Sequence, residues 1–262
     1  MFAMSDTYQH IKFKIDDRVG RVTFARPPVN IFNIAMMREI NDALNRCAQQ
    51  RELVAVVFDA AADCRAFSAG VAVEEHVEET IFQMLDSFHA IFRNLEQLAR
   101  PTIAVVDGPA LGGGCELVIA CDIAIASERA RFGQPEIKLG VFPPVAAVLL
   151  PDLIGEKAAR HLILTGEIID AVEAARLGLV NYVVPANELE AKTSQLLSGF
   201  RNLSAAALEL TRKAIDLSRD RSLDSSLKAV ESLYLNELMK THDANEGISA
   251  FVEKRKPEWR DR

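Results

Sequence analysis

Glu116 and Glu136 stand twenty positions apart, each in a distinctive frame: Ala110-Leu-Gly-Gly-Gly-Cys-Glu116 and Phe132-Gly-Gln-Pro-Glu136. Carboxylates beside glycines suit proton transfer next to a polarised carbonyl. Glycine lets a ligand approach the backbone closely, and the unpaired amides of a helix start favour negative charge. A carbonyl oxygen held there can carry the charge of an enolate while a nearby carboxylate adds or removes a proton. Plainer readings stand beside this one. A glycine run also serves tight strand–helix packing, and an acid in a first helical turn suits the dipole. Cys115, beside Glu116 but with no histidine near it in sequence, reads as packing and not as a nucleophile.

The first frame needs a strand and a helix to hold it. Thr102-Ile-Ala-Val-Val106 predicts a buried strand, Asp107-Gly-Pro109 a break, and Gly114 to Ala120 the first turns of an apolar helix. Upstream, Arg65-Ala-Phe-Ser-Ala-Gly70 follows the apolar run Leu53–Phe58 and can expose another amide, at Val71, to the same oxygen. Ile11–Ile15 and Arg21–Ala25 predict a hairpin. Helices are expected where Ile34, Met37, Ile40, Leu44 and Cys47 share a face, and where Ile81, Leu85, Phe88, Phe92 and Leu95 do. Asp122–Ala126 predicts a further strand. Strands alternating with helices imply an α/β core, which we place at residues 1–200. From about Asn187 the pattern becomes helical, with Ser204 and Ser222 as N-caps. The stripe Leu223, Leu227, Val230, Leu233 and Leu238 either completes the core or seals a subunit contact. Residues 201–262 are taken as a C-terminal helical oligomerisation region.

A chain of 262 residues with 49% apolar and 26% charged residues can bury a sizeable core. Its net charge of −7 argues against a general nucleic-acid binder, the one compact basic cluster being Lys254-Arg-Lys256. The stretch from Met1 to His10 lacks the pattern of a secretory signal, and the uncharged run from Leu139 to Pro151 is too short to span a bilayer. A cytoplasmic setting is expected, with Cys47, Cys64, Cys115 and Cys121 as free thiols. The histidines, His10, His76, His89, His161 and His242, are scattered, so no metal site is expected.

Several motifs in order resemble the enoyl-CoA hydratase/isomerase (crotonase) superfamily. They are Phe67-Ser-Ala-Gly70, the two glutamate frames, Cys121-Asp122, Leu164-Thr-Gly166, Ala174 to Val180 and Ser249 to Lys256. The resemblance implies a crotonase-like spiral of β-β-α units with C-terminal helices, assembled as a homotrimer or homohexamer. It implies an oxyanion hole from the amides of Val71 and Gly113 for a thioester carbonyl, with Glu116 and Glu136 as the acid/base pair. Glu116 would orient or deprotonate water, and Glu136 would deliver the proton. It further implies contacts to coenzyme A from Ala66, Ser68, Ala69, Phe251 and Lys254. Coenzyme A then enters as part of the acyl-CoA substrate, and no separate cofactor is implied.

Two departures bear on the acyl group. The family often continues Gly-Ala-Asp where this chain has Gly70-Val-Ala72, and often has a glycine-rich stretch where this chain has Val141-Phe-Pro-Pro-Val-Ala-Ala-Val148. The second stretch, with Glu74-Glu-His76, Val230 to Met239 and His242-Asp243, resembles cyclohexa-1,5-diene-1-carbonyl-CoA hydratases of anaerobic aromatic degradation. A straight-chain enoyl-CoA hydratase, an isomerase or thioester hydrolase, and a non-catalytic binding protein of the same superfamily are the alternatives.

Overall fold

The computed structural model describes residues 8–217 and 222–262. The N-terminal reading therefore rests largely on residues outside them. The hairpin forms as expected: β1 (Ile11–Asp16) pairs antiparallel with β2 (Val19–Phe24). Next comes α1 (Ile34–Ala48), capped by the Asn33 side chain accepting from Met36 N. Then follow β3 (Ala55–Ala60), α2 (Ile81–Leu98), β4 (Thr102–Val106), a short β5 (Pro109–Leu111) and α3 (Gly113–Ala120). The next pass adds β6 (Ile123–Ser127), β7 (Arg131–Gly133), a 3₁₀ turn at Pro135–Leu139, α4 (Pro144–Ile154) and α5 (Glu156–Thr165). It continues through β8 (Ile168–Asp170), α6 (Ala171–Leu177) and β9 (Tyr182–Val184). Four helices end the chain: α7 (Leu189–Arg201), α8 (Ala205–Leu217), α9 (Leu223–Asn236) and α10 (His242–Glu253).

The strands form two sheets. The larger runs β1-β2-β3-β4-β6-β9, parallel beyond its first hairpin, and the smaller runs β5-β7-β8. Strands 55–58 and 102–106 are buried throughout because both faces of the larger sheet are covered. Val56, Phe58, Ala104 and Val106 face the cluster built with α1 and α2, while Val57, Ile103, Val105 and Ile125 pack with Leu189, Leu197 and Ala205. Alternate residues thus serve two cores.

The smaller sheet is what the sequence did not announce. Three-residue strands are too short to show a period, so Asp107-Gly-Pro109 reads as a break and the strand Pro109–Leu111 goes unannounced. The passes β4–β5 and β6–β7 each give a longer strand to one sheet and a three-residue piece to the other, and β8–β9 gives a three-residue strand to each, which makes the chain a spiral. Residues 68–72 join in through isolated bridges, Ser68 to Ala110 and Phe32 to Val71.

The C-terminal helices are tied to this core by buried and half-buried ion pairs: Arg18–Asp261 at 2.7 Å, Arg212–Asp122 at 3.0 Å, and Arg100–Glu209. Ser204 and Ser222 cap α8 and α9, their Oγ atoms accepting from Ala207 N and Ser225 N. Of the expected apolar stripe, Leu233 is buried, whereas Leu223 and Leu227 are exposed. All four cysteines are free thiols, two of them fully buried.

Candidate active site

The segment 68–72 is laced between two others. On one side Phe32 N donates to Gly70 O and Ala72 N to Phe32 O; on the other Ser68 N donates to Pro109 O and Leu111 N to Ser68 O. In a parallel bridge of this kind Val71 turns its own N–H away from Phe32. Gly113, the first residue of α3, has the unpaired N–H of a helix start. Neither amide donates to a protein group among the described residues. Ser68 Oγ fixes the turn between them, donating to Asn30 O at 2.7 Å and accepting from Gly70 N at 3.1 Å.

Glycine is required at two places here. Gly112 has φ +50°, and a Cβ on it would lie 2.5 Å from Glu136 Oε1, so the carboxylate sits directly over this residue. A Cβ on Gly113 would meet Val71 Cγ2 at 2.7 Å and Phe88 Cζ at 2.9 Å. The glycine run therefore does more than pack a helix on a strand. It brings backbone, carboxylate and cavity wall into contact.

Glu116 lies in α3, one turn after Gly112, and is 2% exposed. Its Oε1 accepts from Ala146 N at 2.8 Å, in the first turn of α4, whose own N-cap Pro143 offers no side-chain bond. The carboxylate thus occupies a helix N-terminus that lacks a cap. Burial pushes its pKa up to about 7, opposed by the Ala146 amide and reinforced by the Glu136 charge. Glu136, in the 3₁₀ turn, is half-buried and is also raised, chiefly by burial. Its Oε2 is buried with no protein partner among the described residues. Two carboxylates of one cavity thus both have their charged forms disfavoured by burial.

One cavity of about 590 Å³ holds these groups together. Val71, Gly113, Glu116, Glu136 and Ala69 all line it. Ala66 and Ser68 lie buried just beneath, Ala66 O accepting from Asn30 Nδ2 at 3.0 Å. Phe251 and Lys254 do not line the cavity. Phe251 is 85% exposed, and Lys254 is an exposed residue in left-handed backbone at the end of α10. Of the stretch 141–148, Val141 to Pro144 form cavity wall, while the rest enters α4 and leaves Val148 exposed. Sequence reading passed over His76 as a site residue. It lines the cavity, and with the two glutamates it is the only titratable side chain among the described residues that does. Its signal was the stretch Glu74-Glu-His76, which entered the sequence reading only as a point of resemblance.

Cys115 is fully buried with its thiol pushed up to about 12 by desolvation, as a packing residue should be. No group of three or more potential metal ligands is gathered among the described residues, and none of their helices is long and apolar enough to cross a membrane.

Residues 14–262 match the family model described as enoyl-CoA hydratase/isomerase. The chain belongs to the enoyl-CoA hydratase/isomerase family. It is accordingly an enzyme of the hydro-lyase class. It is 38% identical to the cyclohexa-1,5-dienecarbonyl-CoA hydratase of Thauera aromatica, covering 94% of this chain and 95% of that one. To the short-chain-enoyl-CoA hydratase of Clostridium acetobutylicum it is 36% identical over 93% of this chain and 94% of that one. The crystal structure of enoyl-CoA hydratase from Bacillus anthracis superposes with a TM-score of 0.91 at 32% identity, covering 97% of this chain and 100% of that one. The spiral of β-β-α units with C-terminal helices is thus the crotonase fold.

Proposed function

We propose that this enzyme adds water to a conjugated enoyl- or dienoyl-CoA thioester, with cyclohexa-1,5-diene-1-carbonyl-CoA as its best substrate and 6-hydroxycyclohex-1-ene-1-carbonyl-CoA as the product, in the degradation of aromatic compounds. The observation that carries the reading is the shared cavity: two idle amides beside two carboxylates of raised pKa, in a chamber otherwise almost wholly apolar. The amides of Val71 and Gly113 hold the thioester oxygen as it becomes an enolate, each such donor contributing roughly 3–4 kcal/mol. Glu116, fixed through Oε1 by Ala146 N, keeps its second oxygen for water and takes a proton from it as the β carbon is attacked. Glu136, standing over Gly112, returns a proton to the enolate.

Relatives of nearly equal identity carry different acyl names, so identity does not choose the acyl group; the support for the ring comes from the cavity wall. Val141-Phe-Pro-Pro144 puts apolar bulk and two fixed backbone angles where glycines would leave slack, which suits a compact flat ring. Coenzyme A, the carrier of the acyl group, runs out past Ala66, Ser68 and Ala69, with Phe251 and Lys254 reaching a nucleotide from a neighbouring subunit. The exposed Leu223, Leu227, Ile248, Phe251 and Val252 favour a homotrimer or homohexamer built on the region 201–262. A cytoplasmic setting completes the reading.

Steady-state rates decide the substrate. The ring thioester should be hydrated at least tenfold more efficiently than crotonyl-CoA, roughly 1.4 kcal/mol in transition-state binding. If crotonyl-CoA is the better substrate, the enzyme is a general straight-chain hydratase.

A further inference from the structure

We propose that His76 is a third catalytic residue, the proton donor to the ring carbon that lies on the far side of the α carbon from the attacked position. This rests on the ring substrate proposed above. The imidazole is held in one pose: Nδ1–H donates to Ala72 O at 2.9 Å, and His76 N donates to Val73 O at 3.1 Å. The turn that carries it is itself fixed. The Glu75 carboxylate accepts from Ile34 N at 2.9 and 3.1 Å, and Thr80 Oγ1 donates to Glu75 O at 2.9 Å. Nε2 is left without a protein partner among the described residues, on a ring that lines the cavity.

The placement of the three proton carriers is what separates their roles. Glu116 lies in α3, which begins at Gly113, and Glu136 lies over Gly112, so both are carried by the segment that supplies the Gly113 amide. His76 is tied through Ala72 to the neighbour of Val71, the segment that supplies the other amide. A straight enoyl chain has one arm leaving its α carbon. A ring has two, and they diverge to opposite sides. If the carboxylates work on the arm that water attacks, the second arm runs toward the Val71 wall, where His76 is the one titratable side chain.

The proton count closes with water alone. Water's oxygen bonds to the β carbon and its proton passes to Glu116, while the ring π electrons move into the thioester as a dienolate. The dienolate takes a proton from Nε2–H of the imidazolium at the end of the second arm, and the remaining double bond settles between the α carbon and that arm. His76 recovers its proton from solvent, to which it is exposed, and Glu116 releases the one it took. Glu136 keeps its part with any substrate protonated at the α carbon.

His76→Gln keeps a hydrogen-bonding side chain but removes the proton carrier. Rates with cyclohexa-1,5-diene-1-carbonyl-CoA and with crotonyl-CoA, each followed in heavy water with the label located by NMR, test the role. With the ring thioester the variant should lose about 100-fold in kcat, and deuterium in its residual product should move from the far carbon toward the α carbon. Its loss with crotonyl-CoA should be at least about tenfold smaller than its loss with the ring thioester, and the crotonyl-CoA label should stay at the α carbon. An equal loss on both substrates, or wild-type rate and label with the ring, overturns the assignment. Wild-type enzyme inert toward the ring thioester shows the substrate reading itself to have failed, before any variant is compared.

Discussion

Glu116 projects from an eight-residue helix and shows only 2% of its surface, whereas Glu136 stands in a single 3₁₀ turn on the same cavity, half-buried. The first is gripped by a backbone amide of another helix; the second has one oxygen with no protein partner. Identical side chains therefore differ in what holds them. A gripped carboxylate keeps one geometry toward water, and a carboxylate with an unpaired oxygen is free to carry a proton in and out. Local frames in the sequence announce that both acids matter, but only the assembled spiral shows this division.

The largest expected effect abolishes both halves of the comparison. Glu116→Gln and Glu136→Gln keep size and polarity while removing the titrating group, so with crotonyl-CoA, which is protonated at the α carbon, each should lower kcat by roughly 10²–10⁴-fold. Near-normal turnover in both would end the hydratase mechanism. A sharper cut reaches Glu136 alone. In Gly112→Ala the new Cβ falls 2.5 Å from Glu136 Oε1 at a φ of +50°, so the carboxylate must move. We expect kcat to fall by about 10²-fold, since misplacement on the scale of an ångström costs that much. A crystal structure of the variant with Glu136 unmoved would contradict this cause.

The smallest effect concerns stability and isolates Glu116. Its folded-state pKa of about 7 stands above the ordinary 4.5, so the native state holds a proton that the unfolded chain releases. Stability is then lost as pH rises through that window, by up to about 3 kcal/mol once pH exceeds 7. Glu116→Gln has no such loss. Its Tm should exceed that of wild type by several degrees at pH 8, with the gain narrowing toward pH 5. Parallel Tm curves for the two proteins across this range would show that burial of the charge is not its source.

Long elements were legible because their apolar periods were long. The face Met37, Ile40, Leu44 and Cys47 is buried in α1, and Phe88 and Leu95 are buried in α2. The strand Leu53–Phe58 appears two residues later, at Ala55–Ala60, since full burial erases the alternation that would fix its ends. β5, β7 and β8 were not legible, because three residues carry no period and their pairing is set by the turns of the spiral. The site followed the same rule. Glycine and glutamate frames are local and could be read, while the grip of Ala146 on Glu116 spans thirty positions.

The lacing of residues 68–72 between Phe32 and Leu111 has a consequence for how such an enzyme can diverge. The part common to every acyl-CoA thioester, its carbonyl, is met in the proposed hole by main-chain amides, which no ordinary substitution of a side chain deletes. The part that differs between substrates would, in the same reading, meet side chains of the cavity wall, at Val73, His76 and Val141 to Phe142. Heritable change can therefore rewrite acyl preference one codon at a time while the grip on the reacting carbonyl passes unaltered from ancestor to descendant.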